Sequence, residues 1–153
     1  MNKRLAHRNA RWYLQNAAKS IRNTKRDEFI NHVIKDKKLK LIAISGTHGK
    51  TTVTSMVSLI FIDGDQDPTI AVGGILNAIG GNMRMGHTDH FIAEACEYKN
   101  SFLEFNPHKG VILNIDEDHL DFFKDLDDIR HSFRLFAQKI PKDGQLYING
   151  EIP

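Results

Sequence analysis

The chain has 153 residues, of which 41% are hydrophobic and 26% are charged, a composition typical of one globular domain. Its single cysteine excludes an internal disulfide framework and favours a reducing compartment. No apolar run approaches the roughly 20 residues of a membrane span, and the basic N-terminus lacks the apolar core of a secretory signal, so we expect a cytoplasmic protein.

Positive charge is concentrated at the N-terminus. Residues 1–40 hold 12 Lys and Arg against 3 Asp and Glu, whereas the rest of the chain has an acidic excess and the whole carries a net charge of +2. Apolar positions predict helices over residues 4–20 and 25–36, so we treat residues 1–37 as a basic helical segment that precedes a domain over residues 38–153. Either it is a solvated helical lead-in, or it docks on nucleic acid or a protein partner.

A phosphate-binding loop is predicted between the first strand and the first long helix of this domain. The apolar residues 39–44 indicate a buried strand, and residues 50–62 carry a helical apolar pattern. Glycines between them let backbone N–H groups close on phosphates at a helix N-terminus. Lys50 can reach the β- and γ-phosphates, and the Thr51 hydroxyl can ligate Mg²⁺. The predicted nucleotide-binding residues are Gly46, Thr47, His48, Gly49, Lys50, Thr51 and Thr52.

Strands and helices alternate along the rest of the chain. Sequence patterns predict strands over residues 68–72, 90–94, 110–115 and 145–148, and helices over residues 100–105 and 126–139. Five glycines within residues 73–86 indicate a loop near the ligand. The alternation predicts an α/β fold with a parallel sheet flanked by helices, in which ligands bind beyond the carboxyl ends of the strands.

Polar residues follow three of the predicted strands at that edge. Glu94 ends one strand and, with Thr51, offers the oxygen ligands that Mg²⁺ prefers. His119 follows another strand in an acidic turn and is a candidate ligand for a metal or an anionic substrate, while Asn114 could bind substrate or order the loop. Glu97 is a weaker metal candidate. The alternative for each is an ordinary surface side chain, and for the loop a glycine-rich turn with a surface lysine.

Other residues are expected to have packing roles only. Cys96 has no histidine or second cysteine near it in the sequence, so we expect a small buried side chain. The phenylalanines of the C-terminal half are expected to form core, and these are Phe102, Phe105, Phe122, Phe123, Phe133 and Phe136.

With these motifs in place, the chain resembles the Mur ligases, the ATP-dependent amino-acid ligases of peptidoglycan synthesis. The loop Gly-Thr-His-Gly-Lys-Thr-Thr at residues 46–52 is similar to the short loop of that family, whereas the general P-loop has glycine where Ile44 stands. The resemblance covers about residues 38–150. The other matching runs are Asp67-Pro-Thr-Ile-Ala-Val-Gly-Gly, Gly80-Gly-Asn-Met-Arg-Met-Gly, Glu94-Ala-Cys-Glu-Tyr, Ser101-Phe-Leu and Asn114-Ile-Asp-Glu-Asp-His-Leu-Asp.

The resemblance is to the family members that join L-alanine to UDP-N-acetylmuramate. It implies a P-loop NTPase-like central domain in which ATP phosphorylates the muramate carboxylate, and L-alanine then attacks the acyl phosphate with release of ADP and phosphate. By position it implies that Lys50 stabilises the γ-phosphate, that Thr51 and Glu94 bind one Mg²⁺, and that His119 helps to bind a second metal. Asn114 is implied to be a catalytic residue of the same site.

Two departures from the family pattern affect these expectations. Cys96 stands where the commoner motif has aspartate. The resemblance also covers only the first part of the central domain, without the regions that hold the UDP group, the adenine and the amino acid in this family. We therefore expect this chain alone to bind nucleotide without completing the ligation. A stand-alone phosphate-binding module and a poorly folding remnant are the alternatives.

Overall fold

The computed structural model describes residue 34 and residues 38–152. The basic helical segment predicted over residues 1–37 therefore lies outside the described residues, apart from Ile34, which is helical and packs into the core. Within the described part of the chain, no helix is long and apolar enough to cross a membrane.

One six-stranded sheet organises the described residues. Its strands are β1 (Lys40–Ser45), β2 (Thr69–Leu76), β3 (Gly81–Arg84), β4 (His90–Glu94), β5 (Lys109–Ile112) and β6 (Gln145–Ile148). The α-helices are α1 (Lys50–Asp63) and α2 (Leu126–Gln138), and 3₁₀ segments cover Asn77–Ile79 and Tyr98–Glu104. The strand order is β3-β2-β4-β1-β5-β6, and all pairs are parallel except β2 with β3. The predicted parallel α/β sheet is confirmed.

Strand β1 lies at the centre of the parallel ladder and sets the level at which its neighbours end. Ile44 of β1 pairs with Glu94 at the end of β4, and Ser45 pairs with Ile112 at the end of β5. Because parallel strands end at the same edge of a sheet, the segments that follow β1, β4 and β5 emerge side by side.

Apolar side chains of the central strands alternate between two faces, and each face is covered by a different set of elements. On one face Ile42, Ile44 and Ile92 pack against the Val53 and Val57 side chains of α1. The other face carries most of the core, where α2 and the second 3₁₀ segment cover the sheet. Its fully buried aromatic residues are Phe91, Phe102, Phe105, Phe133 and Phe136. The expected phenylalanine core is therefore confirmed except at Phe122, which is exposed.

The glycine-rich residues 73–86 form a β-hairpin rather than the predicted loop. Strand β2 continues through both Gly73 and Gly74 to Leu76, because β3 pairs with it antiparallel on both sides of an irregularity, Ala71 with Met83 and Leu76 with Gly81. Arg84 forms an ion pair with Asp67, and the backbone N–H and ring of His87 contact the same carboxylate, which holds the hairpin base. The hydrogen bond from His87 is the largest cause that lowers the pKa of Asp67 below its ordinary value.

Three other features differ from the sequence prediction. The helix predicted over residues 100–105 is a 3₁₀ segment that starts earlier and bends at Lys99 and Asn100, which both have positive φ. Strand β5 ends three residues early because residues 113–116 turn away to contact the loop after β1. In α1 the buried residues are Thr54 and Ser58, and the apolar face indicated by the sequence only partly meets the sheet, since Val53 and Val57 pack on it whereas Met56 and Ile60 are exposed.

The stacked aromatic pair beneath α2 should dominate the stability of this face. The rings of Phe136 and Phe102 are stacked with centroids 4.9 Å apart. We expect Phe136→Ala to lower the free energy of unfolding by about 3–5 kcal/mol, because a fully buried ring is replaced by a cavity. The neighbouring exposed Leu135 offers the control, since Leu135→Ala should cost less than about 1 kcal/mol. Denaturant titration of both variants measures the difference, and equal losses would contradict this packing.

Candidate active site

The loop between β1 and α1 requires glycine at two positions. Gly46 has a φ of 140° and Gly49 has a φ of 79°, conformations that other residues rarely adopt. A Cβ atom on Gly46 would also lie 3.0 Å from the Leu113 Cβ, so the loop is pressed against the segment that follows β5. This close approach fixes the curvature of the loop.

Asn114 and Thr47 hold this loop in place. The Asn114 side chain accepts a hydrogen bond from the His48 N–H at 2.8 Å and donates one to the His48 carbonyl at 3.1 Å. The buried Thr47 hydroxyl accepts a hydrogen bond from the Asp116 N–H at 2.9 Å. Of the two roles considered for Asn114, the geometry favours ordering the loop, because both ends of its amide are engaged by backbone.

The N-terminus of α1 faces this loop without a compensating negative charge of its own. Gly49 occupies the cap position and has no side chain to make a capping bond, and the first turn contains no acidic residue. The partial positive charge of the helix end is therefore left for an anion. Thr52 is exposed on this turn. Loop and helix end together form a cradle suited to phosphate.

Thr51 and Glu94 come together at the edge of the cradle, as predicted from the sequence. The Thr51 hydroxyl lies 2.9 Å and 3.1 Å from the two carboxylate oxygens of Glu94. The Gly73 N–H donates to the same carboxylate at 2.7 Å. Glu94 is thus fixed between α1 and the hairpin, and the bare backbone at Gly73 explains why β2 carries glycine there.

Lys50 pairs with Glu97, a contact that sequence reasoning underestimated. The Lys50 Nζ lies 3.1 Å from Oε1 and 2.9 Å from Oε2 of Glu97. The exposed fractions of the two side chains are only 12% and 2%. A buried carboxylate needs a nearby positive charge, and a buried ammonium group needs a negative one. A search of the sequence for an acidic partner of Lys50 could therefore have raised Glu97 above a weak candidate.

His119 lies on the other side of Glu97. Its Nε2 is 3.6 Å from Glu97 Oε1, and its Nδ1 is 3.8 Å from Asp118 Oδ1. The ring packs against Tyr98 with centroids 4.6 Å apart. Tyr98 is itself oriented by a hydrogen bond to Asp121, which raises the pKa of the Tyr98 hydroxyl above its ordinary value.

The structure therefore brings the three predicted stretches to one edge of the sheet. Lys50 and His119 meet at Glu97, Thr51 meets Glu94, and Asn114 supports the loop between them. Potential metal ligands cluster at this edge, since atoms of Glu97, Asp118 and His119 all lie within 4.8 Å of one another.

Cys96 lies between these carboxylates but is exposed, which corrects the expectation that it is buried. The reason is that side chains after β4 point alternately inward and outward, so Ala95 and Glu97 are buried and Cys96 between them is exposed. Although the residue is exposed, protein atoms around the sulfur desolvate the thiolate, and this together with Glu97 and Glu94 raises the pKa of Cys96.

A family assignment follows from comparison with known proteins. Residues 44–153 match the Mur ligase middle domain. Because that match covers more than half of the chain, the protein belongs to the Mur ligase family, and the predicted family is confirmed.

Two curated relatives share one name, UDP-N-acetylmuramate–L-alanine ligase. The chain is 67% identical to the UDP-N-acetylmuramate–L-alanine ligase of Lachnospira eligens over 111 residues, which is 72% of this chain and 24% of the relative. It is 56% identical to the ligase of the same name from Clostridium botulinum over 133 residues, which is 87% of this chain and 29% of the relative. The chain thus spans about a quarter of the length of these relatives.

Solved structures share the fold. The UDP-N-acetylmuramate–alanine ligase of Thermotoga maritima matches with a TM-score of 0.74 at 29% identity, covering 83% of this chain and 29% of that one. The MurF ligase of Thermotoga maritima, solved in complex with ADP, matches with a TM-score of 0.64 at 15% identity, covering 82% of this chain and 31% of that one, a likeness of fold alone.

Gly73 should be sensitive to any side chain. A Cβ atom there would lie 2.5–2.9 Å from the Glu94 carboxylate atoms, so Gly73→Ala must displace that carboxylate. Because the displaced atoms are the end of a flexible side chain, we expect only the loss of its hydrogen bonds, about 0.5–1.5 kcal/mol in the free energy of unfolding. Gly81 in the same hairpin has open space around its Cβ position, and Gly81→Ala is the matched control. Thermal unfolding of both variants decides, and equal melting temperatures would contradict the close contact.

Cys96 should react slowly with alkylating agents at neutral pH. Its pKa lies above the ordinary value of 9.0, so the reactive thiolate is scarce below that pH and accumulates only as pH rises through the higher folded value. Iodoacetamide labelling followed by mass spectrometry across pH measures this directly. The same chain unfolded in guanidinium should titrate at lower pH, and coincident profiles would argue against desolvation of the thiol.

Proposed function

We propose that residues 38–153 form the first part of the central ATP-binding domain of an enzyme that joins L-alanine to UDP-N-acetylmuramate. The observation that carries the proposal is the contact of Thr51 with Glu94 beside a glycine loop and an uncapped helix end. The high identity to ligases of that name supports the same assignment. Residues 1–37 are proposed to be a basic helical segment that precedes this domain.

In this proposal the loop binds the phosphates of ATP. Backbone N–H groups of the loop and the N-terminus of α1 hold the β-phosphate, and Lys50 contributes its charge at the γ-phosphate. Asn114 acts as a positioning residue, because its amide fixes the backbone of His48. The residues contributing to the cradle are Gly46, Thr47, His48, Gly49, Lys50, Thr51 and Thr52.

The residues at the edge fit Mg²⁺. Thr51 uses its one proton in the bond to Glu94, and its oxygen keeps lone pairs for a cation. Hydroxyl and carboxylate oxygens are the donors that Mg²⁺ prefers. A second divalent ion fits the cluster of Glu97, Asp118 and His119, where two carboxylates and one imidazole converge. When bound, the ions neutralise charge on the phosphoryl group during transfer.

The reaction proposed for the whole enzyme is the one named for its relatives. ATP donates its γ-phosphoryl group to the muramate carboxylate, and the amine of L-alanine displaces phosphate from the acyl phosphate. The described residues contribute position and charge to the first step, which is what phosphoryl transfer mainly needs. We expect the described residues to bind nucleotide and Mg²⁺ in that step.

No observation favours the alternative of a stand-alone module that docks on nucleic acid or a partner through a basic arm. That arm lies outside the described residues, and the relatives are named as ligases. The alternative is therefore not proposed.

Metal-dependent nucleotide binding tests the proposal. Thr51→Ala removes the hydroxyl ligand of the ion but keeps the backbone N–H that contributes to the cradle, so we expect affinity for ATP to fall by about tenfold with Mg²⁺ present and to change little in EDTA. Isothermal titration under both conditions measures this. Ser55→Ala, one turn later on α1, removes a hydroxyl of the same helix and should leave both affinities unchanged. An equal loss with and without metal would rule out Thr51 as a ligand.

A further inference from the structure

Lys50 has no proton left for a phosphate in this structure. A lysine ammonium carries three donors. The Lys50 Nζ lies 2.6 Å from the Gly46 carbonyl, 3.0 Å from the Thr47 carbonyl and 3.1 Å from Glu97 Oε1, all within hydrogen-bond geometry. These three acceptors use its full capacity, and the side chain folds back over its own loop.

We propose that Glu97 is a positioning residue that holds Lys50 away from the phosphate site until nucleotide binds, an inference that rests on the nucleotide-binding function proposed above. A phosphate group must take Lys50 from this carboxylate in order to use its charge. Part of the phosphate-binding energy is then consumed in breaking the Lys50–Glu97 ion pair, so affinity is lower than the cradle alone would give.

Lysine is the partner that moves. Its charge sits on a flexible four-carbon stem, and its side chain retains some exposure to solvent. Glu97, in contrast, is almost fully buried and begins a backbone segment fixed by a hydrogen bond from the Asn100 N–H to the Glu97 carbonyl at 2.9 Å. The carboxylate therefore stays in place while the ammonium group turns away from it, toward a phosphate bound in the cradle.

Departure of Lys50 leaves Glu97 in need of another cation. A buried carboxylate without a counter-charge is costly, and among the described residues Glu97 Oε2 has no hydrogen bond to replace its 2.9 Å contact with the Lys50 ammonium. The groups on its other side are the imidazole of His119 at 3.6 Å and, next to it, the Asp118 carboxylate. The second divalent ion proposed for this cluster would replace the charge of the Lys50 ammonium. Glu97 thus exchanges Lys50 for a metal ion when nucleotide and metal bind.

Phosphate affinity without metal gives the first test. The probe is inorganic tripolyphosphate in EDTA, which contacts only the cradle. We expect Glu97→Gln to bind it about tenfold more tightly than the unmodified chain, because Lys50 no longer has to leave a charged partner. Glu117→Gln is the control, since it removes an exposed carboxylate from the same edge, and its affinity should rise less than about threefold. A gain in Glu97→Gln no larger than in Glu117→Gln overturns the inference.

Nuclear magnetic resonance of the lysine ammonium groups gives a test that needs no ligand. Ammonium protons in a buried ion pair exchange slowly with water, so Lys50 should give a visible ¹⁵Nζ signal, assigned by its loss in Lys50→Arg. The signal should vanish in Glu97→Gln and persist in Glu117→Gln. Equal signals in the unmodified chain and Glu97→Gln overturn the ion pair whatever the phosphate affinity. Failure of all variants to bind tripolyphosphate would instead overturn the proposed function, and with it the exchange.

Discussion

Parallel pairing of β1 with β4 on one side and β5 on the other determines where every candidate functional group lies. The register places Glu94 opposite Ile44 and Ile112 opposite Ser45, so three strands end at one level. The phosphate loop, the carboxylates after β4 and the acidic turn after β5 are then neighbours although they are far apart in the sequence. Most of the core lies on the face under α2, which keeps this ladder rigid without occupying the edge.

Charge at the edge is divided between two carboxylates with different tasks. Glu94 accepts from the Thr51 hydroxyl and a backbone N–H, two neutral donors, and so retains its negative charge for a cation. Glu97 is paired directly with the ammonium group of Lys50 in a buried setting. Although they are only three residues apart at the end of β4, the Glu94 carboxylate is available to a metal ion and the Glu97 carboxylate is already neutralised by Lys50.

Local pattern predicted the parallel sheet, the loop at residues 46–52 and the strand that ends at Glu94, because each depends on residues close together in the sequence. The hairpin was missed because its antiparallel pairing overrides the usual preference of Gly73 and Gly74 for loops. Glu97 was underestimated because its importance comes from Lys50, 47 residues away. Buried and exposed side chains alternate after β4, and the exposure of Cys96 depends on which residues of this segment face inward. The sequence does not indicate which ones do.

The double hydrogen bond between Asn114 and the backbone of His48 has a consequence for chemical ageing. Only a primary amide of this length can donate and accept at the same two positions. Hydrolysis of that amide to a carboxylate, the heat-driven reaction that makes asparagine thermolabile, would replace the donor with a second acceptor and set it against the His48 carbonyl. The time for which the loop keeps its conformation thus depends on the Asn114 amide. That amide is protected from hydrolysis only while its hydrogen bonds to His48 persist.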